Sequence, residues 1–330
     1  MEEKSLVSII IPVYNVAAYI EECLRSLYQQ TYRHLELIFV DDCCQDETVS
    51  LIQTYTSQYK EEGITVKIIR HEHNRGVAAA RNTGLKNATG EYLYYVDADD
   101  KIEQHTIERL VKKAVETQAD IVGCEWYLSY YKNERRMPQP DVNSPNDAFY
   151  QFATGRLRWN LWLFLVRRSL YTQHQIAFIE GLNMGEDMMV MGKLLLCADK
   201  VVVLHEPLYH YVQINAGSLT KEASERHRFQ VTENLKELET FAKRRNEKDI
   251  DTYLQFLKLS IKLPLLMSDK TDDYERWLGW FPEANAYIFQ NKSTPLRIRL
   301  LQFCAVKRYF FVLKLYYRIV FRFIYGVLYK

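Results

Sequence analysis

The 330-residue chain has almost no net charge, with 43 Lys+Arg against 42 Asp+Glu. That excludes binding to nucleic acid through bulk charge. Glycine and proline are scarce, at 12 and 8 residues, and 48% of the chain is hydrophobic. The composition excludes collagen-like and disordered chains and leaves a folded globular one, long enough for a sizeable core. The six cysteines, Cys23, Cys43, Cys44, Cys124, Cys197 and Cys304, show no CxxC pair and no His partner at zinc-ligand spacing. A reduced, cytoplasmic chain is the simple expectation. No stretch approaches the roughly 20 apolar residues that span a bilayer. The start, Met1-Glu2-Glu3-Lys4-Ser5, has no basic segment followed by an apolar one, so no signal peptide is expected.

One further absence is local. From Ala284 to Lys330 there is no Asp or Glu, while nine Lys and Arg fall there, which leaves residues 1–283 with a net charge of −8. An acidic body carries a basic tail.

What is present begins with alternation. Leu6 to Ile11 is an apolar, largely β-branched run closed by Pro12 and reads as a buried parallel strand. Asn15 is placed to cap a helix on which Ile20, Cys23, Leu24 and Leu27 recur at helical spacing. Further strands are expected at Leu35–Val40, Ile64–Ile69 and Tyr92–Val96, separated by helices near 47–59 and 78–86. Strands alternating with helices imply a parallel sheet with helices on both faces. Beyond Asp100 a helix (103–117) and strands at 119–124 and 201–204 are expected, with a polar loop over 132–147. From 221 onward the chain reads as helical.

Two strands end in acids, Asp41-Asp42 and Asp97-Ala98-Asp99-Asp100. In an open parallel sheet ligands sit beyond the carboxyl ends of the strands, so these groups should lie near one another. Crowded carboxylates repel and call for a cation or a hydrogen-bonding ligand; hard oxygen donors suit Mg²⁺ or Mn²⁺ shared with a phosphate. Helix capping is the alternative for a single pair. Arg81, beside Asn82, offers paired donors to a phosphate. No GxxxxGK[ST] loop and no GxGxxG fingerprint occurs here, which argues against P-loop NTPases and dinucleotide oxidoreductases.

These residues, taken in order, resemble family 2 glycosyltransferases of GT-A fold. The resemblance rests on Val7–Asn15, Val40-Asp41-Asp42, Asn74-Arg75-Gly76 with Ala80–Gly84, Gly90-Glu91-Tyr92 with Val96–Asp100, and Gly185-Glu186-Asp187. It spans about residues 5–220. It implies an α/β, mostly parallel sheet flanked by helices and followed by a helical region. It implies that Pro12, Tyr14, Asp41 and Asp42 line a nucleoside pocket and that Arg81 and Asn82 approach the diphosphate or ribose. Asp97 would meet the ribose and Asp99 a Mn²⁺ or Mg²⁺ ion. Asp187 would be the general base of an inverting displacement, with Glu186 orienting the loop or acceptor. Two departures stand out. Cys43-Cys44 occupies the place of the family's usual Gly-Ser, and Leu163-Phe164 that of its Asn-Lys pair after Trp162. His205 and His210 are candidates for a third metal ligand, and Gln213 and Ser218 fall where the family closes a loop over the donor.

The tail is read from its own residues. Lys307, Lys314, Arg318 and Arg322 fall on one face of a helix over 305–330, among Phe, Tyr, Leu, Ile and Val. Such a helix suits a membrane surface; packing on the protein with snorkelling cations and self-association are the alternatives. The expected organisation is therefore a catalytic domain over 1–220, a helical region over 221–295 and a basic aromatic tail over 296–330. The expected activity is transfer of a sugar from a nucleotide-sugar, UDP-linked by family usage, to a saccharide or lipid-linked saccharide of a cell-surface polysaccharide or lipopolysaccharide. The expected location is the inner face of the cell membrane. A non-catalytic sugar-nucleotide-binding or scaffold protein is the alternative, against which intact Asp97, Asp99 and Asp187 argue. A nucleotidyltransferase would need a Gly-rich, Arg-containing first loop, which is missing.

Overall fold

The computed structural model describes residues 5–130, 133–213, 224–245 and 248–320. They fall into two compact units, one of Met1–Ala148 with Arg158–Phe241, the other of Phe149–Leu157 with Ala242–Lys330.

In the first unit the apolar runs form four parallel strands, β1 (Val7–Val13), β2 (Leu35–Asp41), β3 (Ile64–Arg70) and β4 (Tyr92–Tyr95), in the order β3-β2-β1-β4. Every residue of β2 is buried, Glu36 included. A carboxylate there needs partners, and Glu36 accepts from Ser8 Oγ at 2.6 Å, Lys67 Nζ at 2.5 Å and the Thr89 amide at 2.9 Å. Helices α1 (Ile20–Tyr28), α2 (Thr48–Gln58) and α3 (Val77–Asn87) connect these strands. Helix α3 lies so close to β1 that a Cβ on Gly84 would stand 2.3 Å from Ile10 Cγ2. Asn15 does not cap α1, which begins at Ile20; its Oδ1 accepts from the Gln45 amide and joins the turns after β1 and β2.

Past Asp100 the sheet turns mixed. β5 (Lys101–Ile102), β6 (Ile121–Ser129), β7 (Glu134–Met137), β8 (Phe164–Arg167) and β9 (Val201–Val212) continue it as β4-β8-β6-β9-β5, with β7 paired on β6. β8 is antiparallel to both β4 and β6, and β9 is parallel to β6. Helices α4 (Thr106–Thr117), α6 (Arg168–Gln173) and α7 (Glu186–Cys197) belong to this stretch, while α5 (Pro145–Ala153) starts in it and runs on, from Phe149, into the second unit. The expected loop over 132–147 contains β7, a polar edge strand. The strand expected to stop at Leu204 runs on to Val212, because the register shift opposite Glu125 accommodates Pro207 where an unbroken ladder would not. α8 (Glu225–Arg244) follows, and Asn234 on it donates to the Met184 carbonyl at 2.9 Å.

The second unit is helical, with α9 (Ile250–Lys262), α10 (Thr271–Gly279), α11 (Leu296–Val306) and α12 (Phe310–Tyr317). Tyr274, Trp277, Leu266, Ile288, Ala305 and Leu313 share its core. Lys262 is fully buried there, its Nζ donating to the carbonyls of Trp280 and Phe281 and to Asn285 Oδ1, 4.1 Å from the Trp277 ring centre. The single helix expected from 305 is interrupted. α11 ends at Val306, Arg308 takes a left-handed φ of 58°, and the Arg308 and Tyr309 amides close the turn on Ala305 and Cys304 before α12 begins. Lys307 thereby falls in the turn between the two helices, apart from Lys314 on α12, and Arg322 lies outside the described residues.

Candidate active site

The carboxyl ends of β1, β2 and β4 and the first turns of α3 and α7 surround a cavity of about 530 Å³. Volumes of roughly 300–1,000 Å³ are usual for sites that take a small ligand. Of the sequence-predicted residues, Pro12, Tyr14, Asp42, Arg81, Asp97, Asp99, Glu186 and Asp187 line it. Asp41 and Asn82 do not.

Asp41 is fully buried and turned to the loop behind the cavity, where Oδ1 accepts from the Cys44 amide at 2.7 Å and Oδ2 pairs with Arg70 Nε at 3.2 Å. That bond braces a turn in which Cys43 has a φ of 66°. Cysteine therefore adopts here the left-handed backbone that favours glycine. Burial pushes the Cys44 thiol up to about 12, which leaves it a poor nucleophile. Asn82 exchanges two bonds of 2.9 Å with the backbone of Phe178, fixing that loop against α3.

Asp42 organises the opposite wall. Oδ1 accepts from the Arg75 amide at 2.8 Å and meets His71 Nδ1 at 2.8 Å, while Oδ2 accepts from the Gly76 amide at 2.7 Å. Gly76 has a φ of 86°, and a Cβ there would stand 2.2 Å from Asn183 Nδ2. Asn183 Oδ1 in turn accepts from the Ala78 amide at the start of α3.

Arg81 is the only cation among the described residues that line the cavity. Its buried guanidinium donates through Nη1 to Glu186 Oε1 at 2.7 Å and Asp187 Oδ1 at 2.5 Å, and through Nη2 to Asp97 Oδ1 at 3.4 Å. Burial disfavours its charge, but Asp187, Glu186 and Asp97 outweigh that and raise its pKa. Burial, with Asp187 adding to it and Arg81 opposing, pushes Glu186 up to about 8. Burial likewise lifts Asp97 to about 6, against Arg81 and with Asp99 and Asp187. Asp187 Oδ2 accepts from the Leu161 amide at 3.3 Å, in a segment whose neighbours Trp159 and Asn160 also line the cavity.

The turn after β4 is held from β9. Tyr209 Oη accepts from the Asp97 amide at 3.1 Å and donates to Asp100 Oδ2 at 2.8 Å, and Asp100 Oδ1 accepts from the Val212 amide. The Tyr209 ring stacks on Trp162 at 4.2 Å, and Tyr211 packs on the same indole at 5.5 Å while lining the cavity. Sequence reasoning missed Tyr209, Tyr211, Asn183 and the anchoring role of Asp100. The strand expected over 201–204 stops short of the two tyrosines, which lie on β9 as it runs on to Val212. Successive residues of a strand point to opposite faces, so His210 stacks on Tyr127 instead and meets Glu103 and Glu134. His205 pairs with Glu125 and Asp141. Neither histidine lines the cavity. Gln213 is tied by its amide to the Ser129 carbonyl, and Ser218 lies outside the described residues.

The lining therefore sets five carboxyl groups against one guanidinium. No group of three or more His, Cys, Asp or Glu is assembled for a metal among the described residues. The hard carboxylate oxygens of Asp99, the expected metal ligand, are of the type that would suit a divalent cation, with Asp97 beside it as the expected ribose contact.

Residues 8–185 match the family described as Glycosyl transferase family 2. The chain is 34% identical over 225 residues to the uncharacterized glycosyltransferase EpsJ of Bacillus subtilis (66% of this chain, 63% of that one). It is 31% identical over 274 residues to the glycosyltransferase GlyA of Streptococcus pneumoniae (77% and 38%). It is 29% identical over 221 residues to the poly(ribitol-phosphate) beta-N-acetylglucosaminyltransferase TarS of Staphylococcus aureus (64% and 36%). It spans less than two thirds of the length of each of these relatives. The crystal structure of TarS 1–349 in complex with UDP-GlcNAc has the same fold, with a TM-score of 0.68 at 20% identity over 95% of this chain and 91% of that one.

Proposed function

The chain belongs to glycosyl transferase family 2, and from that premise we propose that it is an inverting enzyme that moves a sugar from a UDP-sugar to a saccharide or lipid-linked saccharide of a cell-surface polymer. The observation that carries this is the excess of carboxylate over guanidinium in one cavity. A diphosphate entering it alone would be repelled, whereas a diphosphate that brings a divalent cation is attracted. UDP as the carrier is supported by the UDP-GlcNAc in the TarS structure, and a polymeric acceptor by the name of TarS, a poly(ribitol-phosphate) beta-N-acetylglucosaminyltransferase.

In this reading Pro12 and Tyr14 flank the base, and Asp42, by fixing the Arg75 and Gly76 amides, shapes the wall that meets the nucleoside. Asp99 would hold Mn²⁺ or Mg²⁺ and Asp97 would meet the ribose; the bound cation would supply charge neutralisation for the departing diphosphate. Asp187 takes the proton from the acceptor hydroxyl as that oxygen bonds to the anomeric carbon and the carbon–oxygen bond to the diphosphate breaks. Arg81 fixes Oδ1 of Asp187, leaving Oδ2, in its longer bond to Leu161, as the atom that receives the proton. Trp159 and Tyr211, which also line the cavity, are the aromatic side chains available to contact the acceptor sugar. Glu186, whose carboxyl is held by burial above the usual carboxylate range, orients the guanidinium.

A thermal-shift panel of UDP-, GDP- and dTDP-sugars with and without Mn²⁺ tests the donor side. Stabilisation by a UDP-sugar that requires Mn²⁺, and is lost in Asp99→Asn, is expected. Failure of every nucleotide-sugar to stabilise the chain would end the proposal. UDP-sugar binding with no UDP release across a panel of saccharide acceptors would favour the non-catalytic alternative.

A further inference from the structure

Among the described residues, 15 large hydrophobic side chains are exposed, and nine of them fall between Phe289 and Ile319. They are not scattered. On α11, Leu296, Leu300 and Phe303 follow one another at intervals of four and three residues, and Phe311 and Leu315 on α12, with Ile319 just past its end, at intervals of four. Those spacings place each set in a single stripe along its helix. The opposite faces are apolar as well: Leu301, Ala305 and Leu313 are buried, the last two beside Tyr274 and Trp277. Each helix is thus apolar twice over, once toward its own core and once outward, with Phe311 at 72% exposure and Leu296 at 57%. Packing in the second unit accounts for the inward stripe only. Contiguous outward apolar surface marks an interaction site.

Charge identifies the occupant. Lys292, Arg297, Arg299, Lys307, Arg308, Lys314 and Arg318 lie in the same segment, and no acid does. Arg308 pairs with Glu275 of α10. A second copy of this surface would bring like charges together, which is costly in a self-complementary contact. A sheet of anionic headgroups over acyl chains complements both features, taking the apolar side chains at its boundary and the cations at its phosphates. No described helix is long and apolar enough to cross a membrane.

We propose that the outward stripes of α11 and α12 form a docking surface for an anionic lipid bilayer, into which Leu300, Phe303, Phe311 and Leu315 insert while the flanking Lys and Arg engage headgroup phosphates. The surface works without donor or acceptor, so its test is independent of the proposed transfer reaction.

Flotation of the full chain with phosphatidylcholine vesicles containing phosphatidylglycerol, against phosphatidylcholine alone, reads the proposal directly. Flotation with the anionic vesicles, weakened by salt, is expected. The triple variant Phe303→Asp, Phe311→Asp, Leu315→Asp, changed only at exposed positions and checked by circular dichroism, should stay at the bottom of the gradient. Arg297→Gln, Lys307→Gln, Lys314→Gln and Arg318→Gln should each weaken partitioning about fivefold, the effect of roughly 1 kcal/mol per basic residue near an anionic surface. Absence of flotation with either vesicle, or a triple variant that floats as before but loses a dimer seen by light scattering, would overturn it; the latter would assign the stripes to a second copy of the chain.

Discussion

Nη1 of Arg81 donates to Glu186 Oε1 at 2.7 Å and to Asp187 Oδ1 at 2.5 Å, so one buried nitrogen joins two adjacent carboxyl groups 105 and 106 residues away. Both acids stand in the first turn of α7, where the helix dipole already favours negative charge. The pairing shows more than dipole compensation, because it turns the two side chains toward the cavity and ties them to the helix that follows the Asn74–Gly76 loop.

Replacing Asp187 by Asn keeps the shape and removes the proton acceptor. Transfer should fall by about 10²–10⁴, the usual contribution of a positioned base, while binding of a UDP-sugar with Mn²⁺ is unchanged. Steady-state kinetics beside calorimetric titration checks this. Wild-type turnover in the variant would remove Asp187 from the reaction.

Arg81→Met should be costlier to the fold than any surface change, because it strands three carboxyl groups that the guanidinium now joins. Loss of one partner from a buried ionic group typically destabilises by about 3–5 kcal/mol. Arg81→Lys keeps the charge but not the planar fork, and should lower kcat more than it raises the donor KM. Thermal denaturation and kinetics on both variants separate the two effects.

Glu186 gives the site a pH signature. Its pKa rises from 4.5 to about 8 on folding, so between those values the folded chain holds a proton that the unfolded chain has released. This contribution is full below pH 4.5 and is lost as pH rises through 8. Glu186→Gln should flatten the decline in Tm across that window, measured by differential scanning calorimetry. An unchanged slope would show that the group ionises without cost.

Gly76→Ala tests the wall that Asp42 organises. The new Cβ would meet the Asn183 amide at 2.2 Å on a backbone with φ of 86°, a strain of about 1–3 kcal/mol. Weaker binding of a UDP-sugar, with a smaller change in Tm than in Arg81→Met, is the expected result.

Lys262 lets the helical unit be followed separately. Burial pushes its pKa from 10.5 down to about 7, so between those values the unfolded chain binds more protons and stability rises with pH. Lys262→Met should abolish that rise, as read from Tm between neutral and alkaline pH.

Much of the sheet was legible because its signals are local. The apolar runs of β1 to β4, the helical spacing on α1 and the acids that end β2 and β4 lie within a few residues of one another. Legibility failed where a residue's meaning depends on what lies across from it. Asn82 has the composition of a ligand contact but spends both bonds on the Phe178 backbone. His210 lies between two tyrosines that pack on Trp162, and the alternation of β9 carries it to the other face.

The amino-acid sequence alone determined that carboxylates would gather beyond a parallel sheet, since strand period, strand ends and acid placement are properties of neighbouring residues. Only the tertiary structure decided that Asp41 would brace a turn while Asp42 lines the cavity, and that Arg81 would close on Glu186 and Asp187. Side-chain direction is set by register and by packing between elements distant in the chain, and neither is written in any short segment of it.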